Sequence, residues 1–340
     1  NGVFTFSGYA ADGLPPGFGG NPLSSGDING DGLDDIILEL GTNNWPATDQ
    51  GLVNVVFGKT NLNPITLATN SNGFTDATSG FVIVGRFSNA FDCNYTSVLG
   101  DINGDGLADI GTSTQLGNIM HVVYGRTANT PVYLSSIAST PSLGFSITNP
   151  YAPTSGAGCG DNRITAAGDI NGDGRMDILQ TAGWWEQPAS GGDQLWAYHP
   201  EAFGRWGRSE GAGGAEMAVY DVNGDGMNDV VTVLQPHGYG LAWFEQTKER
   251  DEKGQIKWRQ HNITGSKPEE TKYGLKFSQI HAIDLVDMDG DGVKDIVTGK
   301  RFWAHGPKGD AEPNAAAVLY WFKLVRNADK SVDWVPYLVD

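Results

Sequence analysis

The stretch GDINGDGLDDIILEL, residues 26–40, places five acidic side chains within fifteen positions, directly against the apolar run 36–38. Like charges at this density repel one another unless they are solvated or share a bound cation. The pattern D-x-[ND]-G-D-G-x-x-D returns four more times, as GDINGDGLADIGT at 100, GDINGDGRMDILQ at 168, YDVNGDGMNDVVT at 220 and VDMDGDGVKDIVT at 286. Such an internal repeat determines the architecture, because each copy belongs to one supersecondary unit.

Each copy has the composition of a calcium-binding loop. Oxygen-bearing side chains occupy positions 1, 3, 5 and 9, glycines at positions 4 and 6 allow sharp turns, and the carbonyl at position 7 can join the ligands. Hard oxygen donors in a flexible loop suit Ca²⁺, whereas Zn²⁺ favours His or Cys and Mg²⁺ retains its waters. We therefore expect about five Ca²⁺ ions, with these ligands: Asp27, Asn29, Asp31, Leu33, Asp35; Asp101, Asn103, Asp105, Leu107, Asp109; Asp169, Asn171, Asp173, Arg175, Asp177; Asp221, Asn223, Asp225, Met227, Asp229; Asp287, Asp289, Asp291, Val293 and Asp295.

Position 12 separates these loops from EF-hands, which require a bidentate Glu there and a helix on each side. The five copies carry Leu38, Thr112, Gln180, Thr232 and Thr298 at this position. The residues that follow each loop, such as DIILEL and DVVTV, are rich in β-formers, so each loop is predicted to open a strand. A solvated Asx-rich turn without metal is the alternative, but such a turn does not need three carboxylates at fixed spacing.

The repeats predict an all-β fold. Four short strand-like segments, joined by turns, recur in each repeat, and radially repeated four-stranded antiparallel sheets form a β-propeller. We expect about five blades in a single propeller over residues 1–340, with repeats at approximately 1–84, 85–150, 151–200, 201–264 and 265–340. The composition shifts near residue 155, but the repeats continue across that point.

The chain resembles the FG-GAP/VCBS repeat family, which includes the propeller of integrin α subunits. The acidic loops carry this resemblance, together with GLVNVVFGKT at 51 and IMHVVYGRT at 119. It implies that each loop binds Ca²⁺ between the first two strands of a blade. In the later half, TAGWWEQP, HGYGLAWFEQ and HAIDLVDMDGDGVKDIVTGKRFWAHG resemble bacterial secreted VCBS-repeat proteins and the propeller part of fungal aldos-2-ulose dehydratases.

The charge balance limits the possible partners. The formal net charge is -18, from 40 acidic and 22 basic residues, which argues against nucleic acid and anionic membranes. No apolar run is long enough to cross a bilayer, so no membrane insertion is expected. We expect a secreted, extracellular protein whose signal has been removed, with other proteins or glycans at the cell surface as partners. The two cysteines, Cys93 and Cys159, could form a disulfide or remain unpaired.

Three functions are compatible with the sequence. The first is a calcium-stabilised adhesion, scaffold or self-assembling module, which explains the acidic repeats and the absence of a clear catalytic set. The second is a lectin-like carbohydrate-binding propeller, because exposed Trp and Tyr stack on sugars. The third is a sugar lyase or dehydratase related to aldos-2-ulose dehydratase, with these weak catalytic candidates, which also suit exposed loops and solvated strand ends: His237, Tyr239, His281, Lys300, Arg301 and His305.

The number of strands raises the question of assembly. Fourth-strand candidates end the repeats at 80–84, 143–147, 195–199, 257–262 and 334–339, and VFTF at 3–6 is a sixth candidate for five blades. Two explanations are open. The chain could be part of a longer propeller, or the spare strand could pair with another subunit and build a homo-oligomer or fibre by strand addition.

Overall fold

The structure, a computed structural model, describes residues 6–7, 24–40, 51–61, 63, 65–68, 71–76, 78–86, 95–113, 119–148, 164, 166–189, 195–204, 216–303 and 306–340. Regular structure in these residues is almost all β-strand, apart from the short 3-10 helices Leu134–Ser139, Pro141–Leu143 and Pro268–Glu270. The strands form five four-stranded antiparallel blades. The predicted all-β propeller fold is therefore confirmed.

The chain divides into two compact units, of which the first comprises Asn1–Ile164 and Pro188–Trp196. Its strands are β1 (Phe6–Ser7), β2 (Ser24–Gly26), β3 (Asp35–Leu40), β4 (Leu52–Val56), β5 (Ile65–Thr66), β6 (Gly80–Val84), β7 (Tyr95–Gly100), β8 (Asp109–Ser113), β9 (Ile119–Val123), β10 (Val132–Tyr133) and β11 (Gly144–Thr148). Strands β2, β3, β4 and β6 form blade 1, and strands β7, β8, β9 and β11 form blade 2. The short strand β10 adds to the β6 edge in parallel.

The second unit comprises Thr165–Gln187 and Ala197–Asp340 and contains three blades. Its strands are β12 (Ala166–Gly168), β13 (Asp177–Gln180), β14 (Gly183–Glu186), β15 (Ala197–Pro200), β16 (Met217–Tyr220), β17 (Asp229–Val233), β18 (Leu241–Arg250), β19 (Ile256–Thr264), β20 (Ile283–Val286), β21 (Asp295–Lys300), β22 (Val318–Arg326) and β23 (Val332–Leu338). Each consecutive set of four strands forms one blade, in chain order.

The central strands are buried on both faces, which explains their nearly continuous apolar sequences. In β4 and β17 every residue is buried. The polar residue inside β4, Asn54, is fully buried but satisfied, because its amide exchanges hydrogen bonds with the backbone of Ala68 at 2.8 and 3.3 Å. Burying an aliphatic or aromatic side chain contributes about 1.5–3 kcal/mol, so the blade cores hold the loops at their ends in place.

The observed strands agree with the predicted ends of the repeats. Strands β6, β11, β15, β19 and β23 are the fourth strands of the five blades and overlap the predicted segments. The spare N-terminal candidate is described only at Phe6–Ser7, where it pairs in parallel with β5 of the same unit. Residues 3–5, Cys93 and Cys159 lie outside the described residues. The single-domain prediction remains a prediction.

Candidate functional site

Each acidic loop connects the first two strands of its blade, as the family resemblance implies. We number the loops 1 to 5, for residues 27–35, 101–109, 169–177, 221–229 and 287–295. The aspartate at position 9 of every loop is also the first residue of the second strand: Asp35, Asp109, Asp177, Asp229 and Asp295. The prediction that each loop opens a strand is confirmed.

The aspartate at position 1 is surrounded by backbone amides. In loop 1 the N–H groups of Gly30, Asp31 and Gly32 donate to the Asp27 carboxylate at 2.7, 3.0 and 2.9 Å. The same contacts recur in the other loops at 2.7–3.1 Å. Glycine is needed because φ is 73–80° at position 4 and 83–89° at position 6, a left-handed region that other residues rarely adopt.

Positions 3 and 5 lie at the open end of each loop. In loops 1–4 the Asn at position 3 donates its side-chain amide to the Asp at position 5, at 2.9–3.3 Å. The position-5 carboxylate also accepts the N–H of position 7 at 2.9 Å in all five loops. The side chains at positions 1, 3 and 5 thus come together within one short turn.

The aspartate at position 9 is fully buried in every loop. Its Oδ2 accepts the N–H of position 2 at 2.8–3.2 Å. Its Oδ1 accepts an N–H from the third strand or from a residue one or two positions after it, at 2.7–2.9 Å: Gly58, Gly125, Gln187, Gln246 or Leu324. This carboxylate therefore ties the loop to the middle of its own blade.

Burial has a clear electrostatic effect at position 9. It raises the pKa of Asp109 and Asp177 to about 6 and that of Asp229 to about 7, although the backbone N–H donors oppose the shift. Burial also raises the pKa of Asp35. An apolar environment disfavours an isolated carboxylate, and a nearby cation offsets that cost.

Backbone carbonyls of the loops bind the next blade within each unit. In the first unit, Asp27 O accepts the N–H of Ala108 at 3.0 Å, and Ile28 O accepts the N–H of Arg126 at 2.8 Å. In the second unit, the Gln246 side chain donates to Ile170 O at 2.7 Å. The carbonyls at positions 1 and 2 are thus used as contacts between neighbouring sheets.

In loop 4, the carbonyls at positions 1 and 2 both accept hydrogen bonds from a single side chain of the next blade. The Arg326 guanidinium donates to Val222 O at 3.0 Å and also to Asp221 O. Its ring neighbour is Tyr220, whose centroid lies 5.6 Å from the guanidinium carbon. Arg326 therefore connects the third strand of blade 5 to the loop of blade 4.

The donor set fits a hard divalent cation. All side-chain ligands predicted in the loops offer oxygen, the set that suits Ca²⁺ rather than Zn²⁺. In loop 5, ligand atoms of Asp287, Asp289 and Asp295 all lie within 4.8 Å of one another. Participation of the position-7 carbonyls remains a prediction.

In two loops a basic side chain pairs with a loop carboxylate, a contact that the sequence analysis missed. In loop 3 the Arg175 guanidinium pairs with Asp173, and in loop 5 the Lys323 ammonium pairs with Asp289. Arg175 was predicted only through its backbone carbonyl. The signal for Lys323 was the replacement of Asn by Asp at position 3 of the same blade's loop, because an additional carboxylate beside three others is stabilised by a nearby positive charge.

A separate cluster in the second unit contains several of the weak catalytic candidates. The half-buried His237 places Nδ1 3.2 Å from Oδ1 of Asp310, a carboxylate with 4% exposed side-chain surface. The His237 and His281 rings meet edge to face, with centroids 5.0 Å apart. The nearby Asp310 carboxylate favours the tautomer that has the proton on Nδ1, which would leave the lone pair on Nε2.

His281 is held in a defined tautomer. Its Nδ1 lies 3.1 Å from Gln279 O, which can only accept, and its Nε2 lies 3.2 Å from the Arg301 guanidinium, which can only donate. Burial lowers the pKa of His281 to about 4, and the adjacent Arg301 charge adds to this shift. The imidazole is therefore neutral at pH 7.

Charged groups and strained backbone accompany these histidines. Lys276 donates to Glu312 at 2.5 Å, and burial followed by the Glu312 charge raises the pKa of Tyr239. Lys300 is buried and donates to Arg301 O at 3.0 Å. Gln279, Trp303 and Glu312 have φ of 63°, 54° and 44°, and non-glycine residues in this region are often found at functional sites.

Sequence reasoning recovered only part of this cluster. His237, Tyr239, His281, Lys300 and Arg301 are all described, whereas His305 lies outside the described residues. Missed were Asp310, Glu312 and Lys276, which are common charged residues without a motif around them.

A polar groove of about 700 Å³ lies elsewhere in the second unit. On one side, Glu245 accepts from His261 at 2.8 Å and from Arg259 at 3.1 Å. On the other, Asp333 accepts from Lys272 at 2.5 Å and from Tyr273 at 2.8 Å. Fixed polar groups beside an exposed tyrosine ring suit a hydroxyl-rich ligand.

The comparisons with known proteins agree with the resemblance inferred from the motifs. Residues 221–298, which include loops 4 and 5, match the FG-GAP-like repeat family. No curated protein matches the chain. No described helix is long and apolar enough to span a bilayer.

Two solved structures align with most of the chain. One is the exotype rhamnogalacturonan lyase YesX, with a TM-score of 0.36 and 14% identity over 93% of this chain. The chain spans 55% of the length of that lyase. Another is BBS1N from its complex with ARL6DN, soaked with lead, with a TM-score of 0.37 and 10% identity over 96% of this chain and 86% of that chain.

Proposed function

We propose that the protein is a calcium-stabilised extracellular propeller module that serves adhesion, scaffolding or assembly. The observation that carries this proposal is the repetition of one oxygen-rich loop arrangement in all five blades. The side chains at positions 1, 3, 5 and 9 would hold the ion, together with the carbonyl at position 7. Bound Ca²⁺ would supply the positive charge that these carboxylates lack.

Ion binding and thermal unfolding test this proposal directly. Extracellular calcium modules bind with dissociation constants of about 10⁻⁴ to 10⁻³ M, so each loop should add about 1–3 kcal/mol at an ion concentration ten to one hundred times its dissociation constant. We expect titration calorimetry to find about five sites and 10 mM CaCl₂ to raise the melting temperature well above that in EDTA. Equal melting curves in CaCl₂, MgCl₂ and EDTA, with no bound calcium, would refute the proposal.

A glycan is the partner class supported by the polar groove at Glu245 and Asp333. Binding to immobilised glycans should fall at least tenfold in Tyr273→Ala, because loss of an aromatic stacking face weakens sugar binding. Tyr337→Ala provides a matched control, since this tyrosine is equally exposed but does not line the groove. The same loss in both variants would show that the groove is not the binding site.

A second candidate function is sugar lyase or dehydratase activity, favoured by the pairing of His237 with Asp310. In an elimination, His237 Nε2 would take the proton from the carbon beside a carbonyl or carboxylate, the C–O bond at the next carbon would break as the double bond forms, and the departing oxygen would take a proton from water. Arg301 would stabilise the negative charge that develops there. The exposed rings of Phe302 and Trp303, stacked at 5.0 Å, provide a surface for a sugar.

This activity would produce a conjugated double bond that absorbs in the ultraviolet. We would assay oligosaccharides that contain uronic acids or keto-sugars, with His237→Ala and His281→Ala as test variants and His305→Ala for the remaining predicted residue. His199→Ala is the matched control, because His199 also stacks on an aromatic ring but belongs to blade 3. Activity that persists in His237→Ala would reject this mechanism.

A further inference from the structure

The third strands of the five blades can be aligned by one hydrogen bond. Gly58, Gly125, Gln187, Gln246 and Leu324 each donate their N–H to the buried Asp at position 9 of their own blade. The residues immediately before them are therefore equivalent: Phe57, Tyr124, Glu186, Glu245 and Lys323. Blade 5 differs from the others in having a basic residue at this position.

In blades 3 and 4, the residue at this position is a glutamate that pairs with a histidine. Glu186 contacts His199 at 2.8 Å, and Glu245 contacts His261 at 2.8 Å. Both histidines stack on a tryptophan of the preceding strand. In blade 5 the equivalent stack is Trp321 on Tyr337, with centroids 4.7 Å apart, so no histidine needs a carboxylate partner there. Lys323 is thereby available to the loop.

Loop 5 differs from the other loops at position 3. Loops 1–4 have Asn there, and the Asn amide donates to the carboxylate at position 5. Asp289 cannot make this bridge, because an ionised carboxylate only accepts. The Lys323 ammonium pairs with Asp289 and also lies 3.1 Å from Oδ2 of Asp291. A lysine from the third strand has taken over the bridge between positions 3 and 5.

The additional negative charge of Asp289 and the positive charge of Lys323 offset each other. At ligand positions 1, 3, 5 and 9, loop 5 carries four carboxylates, whereas each of the other loops carries three there, and the Lys323 charge restores the balance found at these positions in the other loops. The Lys323 ammonium contacts two of the carboxylates that would bind a metal ion. An ion entering loop 5 therefore has to displace a cation that is covalently attached to the blade.

We infer that Lys323 is a tethered cation, a positive charge supplied by the blade's own side chain. It keeps loop 5 folded when no metal is bound and lowers the affinity of this loop for Ca²⁺. The inference rests on the proposed calcium function and concerns one loop of the five. Loop 5 then differs from loops 1, 2 and 4, because the Lys323 charge still neutralises part of its negative charge when extracellular calcium is low. Loops 1, 2 and 4 have no comparable ion pair between a basic side chain and a loop carboxylate among the described residues.

Terbium luminescence can report on this loop separately. Tb³⁺ replaces Ca²⁺ at oxygen sites and emits when a nearby tryptophan is excited. Trp321 Nε1 donates to Asp295 Oδ2 at 2.8 Å, so a tryptophan lies directly beside the ligands of loop 5. The part of the signal that disappears in Trp321→Phe measures loop 5. Titration of the calcium-free full chain then gives its affinity for Tb³⁺.

The test variant is Lys323→Gln, which removes the charge but keeps a polar side chain. We expect loop 5 to bind Tb³⁺ at least about tenfold more tightly, because a unit charge a few ångströms from the ion is worth more than 1 kcal/mol even in a water-like dielectric. Lys294→Gln is the matched control: this exposed lysine lies in the same loop, and its substitution should change the affinity less than threefold. The double variant Asp289→Asn, Lys323→Gln recreates the common loop and should keep the fold if the single variant does not.

The outcomes separate the two proposals. Tighter binding in Lys323→Gln, with the other loops unchanged, supports the tethered cation. Unchanged loop 5 affinity in both Lys323→Gln and the double variant overturns it while leaving the calcium function intact. Absence of Tb³⁺ and Ca²⁺ binding in every loop refutes the calcium function itself.

Discussion

Within loop 2, Asp109 has no exposed surface, whereas Asp105, four residues earlier, lies in solvent. Asp109 accepts backbone N–H groups from Ile102 at 2.8 Å and from Gly125 at 2.8 Å. Asp105 accepts from Leu107 at 2.9 Å and from the Asn103 amide at 2.9 Å. The same residue type thus binds backbone N–H groups in the core of the blade at one end of the loop and lies in the exposed turn at the other.

The repeated motif therefore combines two requirements. The buried aspartate satisfies backbone donors that would otherwise be unpaired, so it is needed whether or not metal is present. The exposed aspartates make local turn contacts that water can replace. Their main contribution to the free energy of unfolding would therefore come through the bound ion of the proposed calcium function. Substitution at the two ends should therefore respond differently to calcium.

The largest effect is expected for Asp229→Ala. This change removes the acceptor for the N–H groups of Val222 and Gln246, and each buried unpaired donor costs about 1–3 kcal/mol. We expect the free energy of unfolding to fall by about 3 kcal/mol or more, both in CaCl₂ and in EDTA. Chemical denaturation measures the loss. Asp229→Asn retains an oxygen acceptor and should lose less; equal losses in the two variants would contradict the hydrogen-bond explanation.

A smaller, calcium-dependent effect is expected for Asp105→Ala. Removal of one ligand leaves the other carboxylates of loop 2 without full neutralisation, and we expect a loss of about 1–2 kcal/mol in CaCl₂ but little change in EDTA. Lys59→Ala is the control, because surface substitutions of this kind usually stay within about 0.5 kcal/mol. Differential scanning calorimetry in both buffers tests the pair. A loss in EDTA as large as that in CaCl₂ would remove the distinction between the two ends.

The smallest effect concerns pH and the buried end of the loops. The folded-state pKa of Asp109 is about 6, above its ordinary value of 3.8, so protonation stabilises the calcium-free fold. This contribution is fully present below pH 3.8 and is lost as the pH rises through 6. In EDTA we expect wild type to gain about 1 kcal/mol relative to Asp109→Asn when the pH falls from 7.5 to 5. Parallel pH profiles for the two proteins would show that Asp109 does not titrate in this range.

The loops and blades could be predicted because their signals are local. Nine residues contain the oxygen pattern and both glycines, and the β-rich segment after each loop begins at the buried aspartate. The fourth strands could be placed because each repeat ends in an alternating or apolar segment. The strand pairing of Phe6–Ser7 with β5 was not predicted, since two-residue strands have no periodicity to recognise.

The side-chain partners could be predicted less well, because they depend on contacts across strands. Asp310 lies far along the chain from His237, and nothing in its neighbours distinguishes it from the other acidic residues of the chain. Lys323 is separated from Asp289 by 34 residues and meets it only through the register of β22. His237 and His281 were candidates because they cluster in the sequence with Tyr239, Lys300 and Arg301 more closely than strands alone require.

The hydrogen bonds from Arg326 to the loop of blade 4 have a mechanical consequence. They join the carbonyls of Asp221 and Val222, at the start of loop 4, to the third strand of the following sheet. A force that pulls blades 4 and 5 apart would load this turn before it reaches the apolar residues of either sheet. If loop 4 binds calcium as proposed, the ion would strengthen the contact between these two blades, and the resistance of that contact to shear would rise with the calcium concentration.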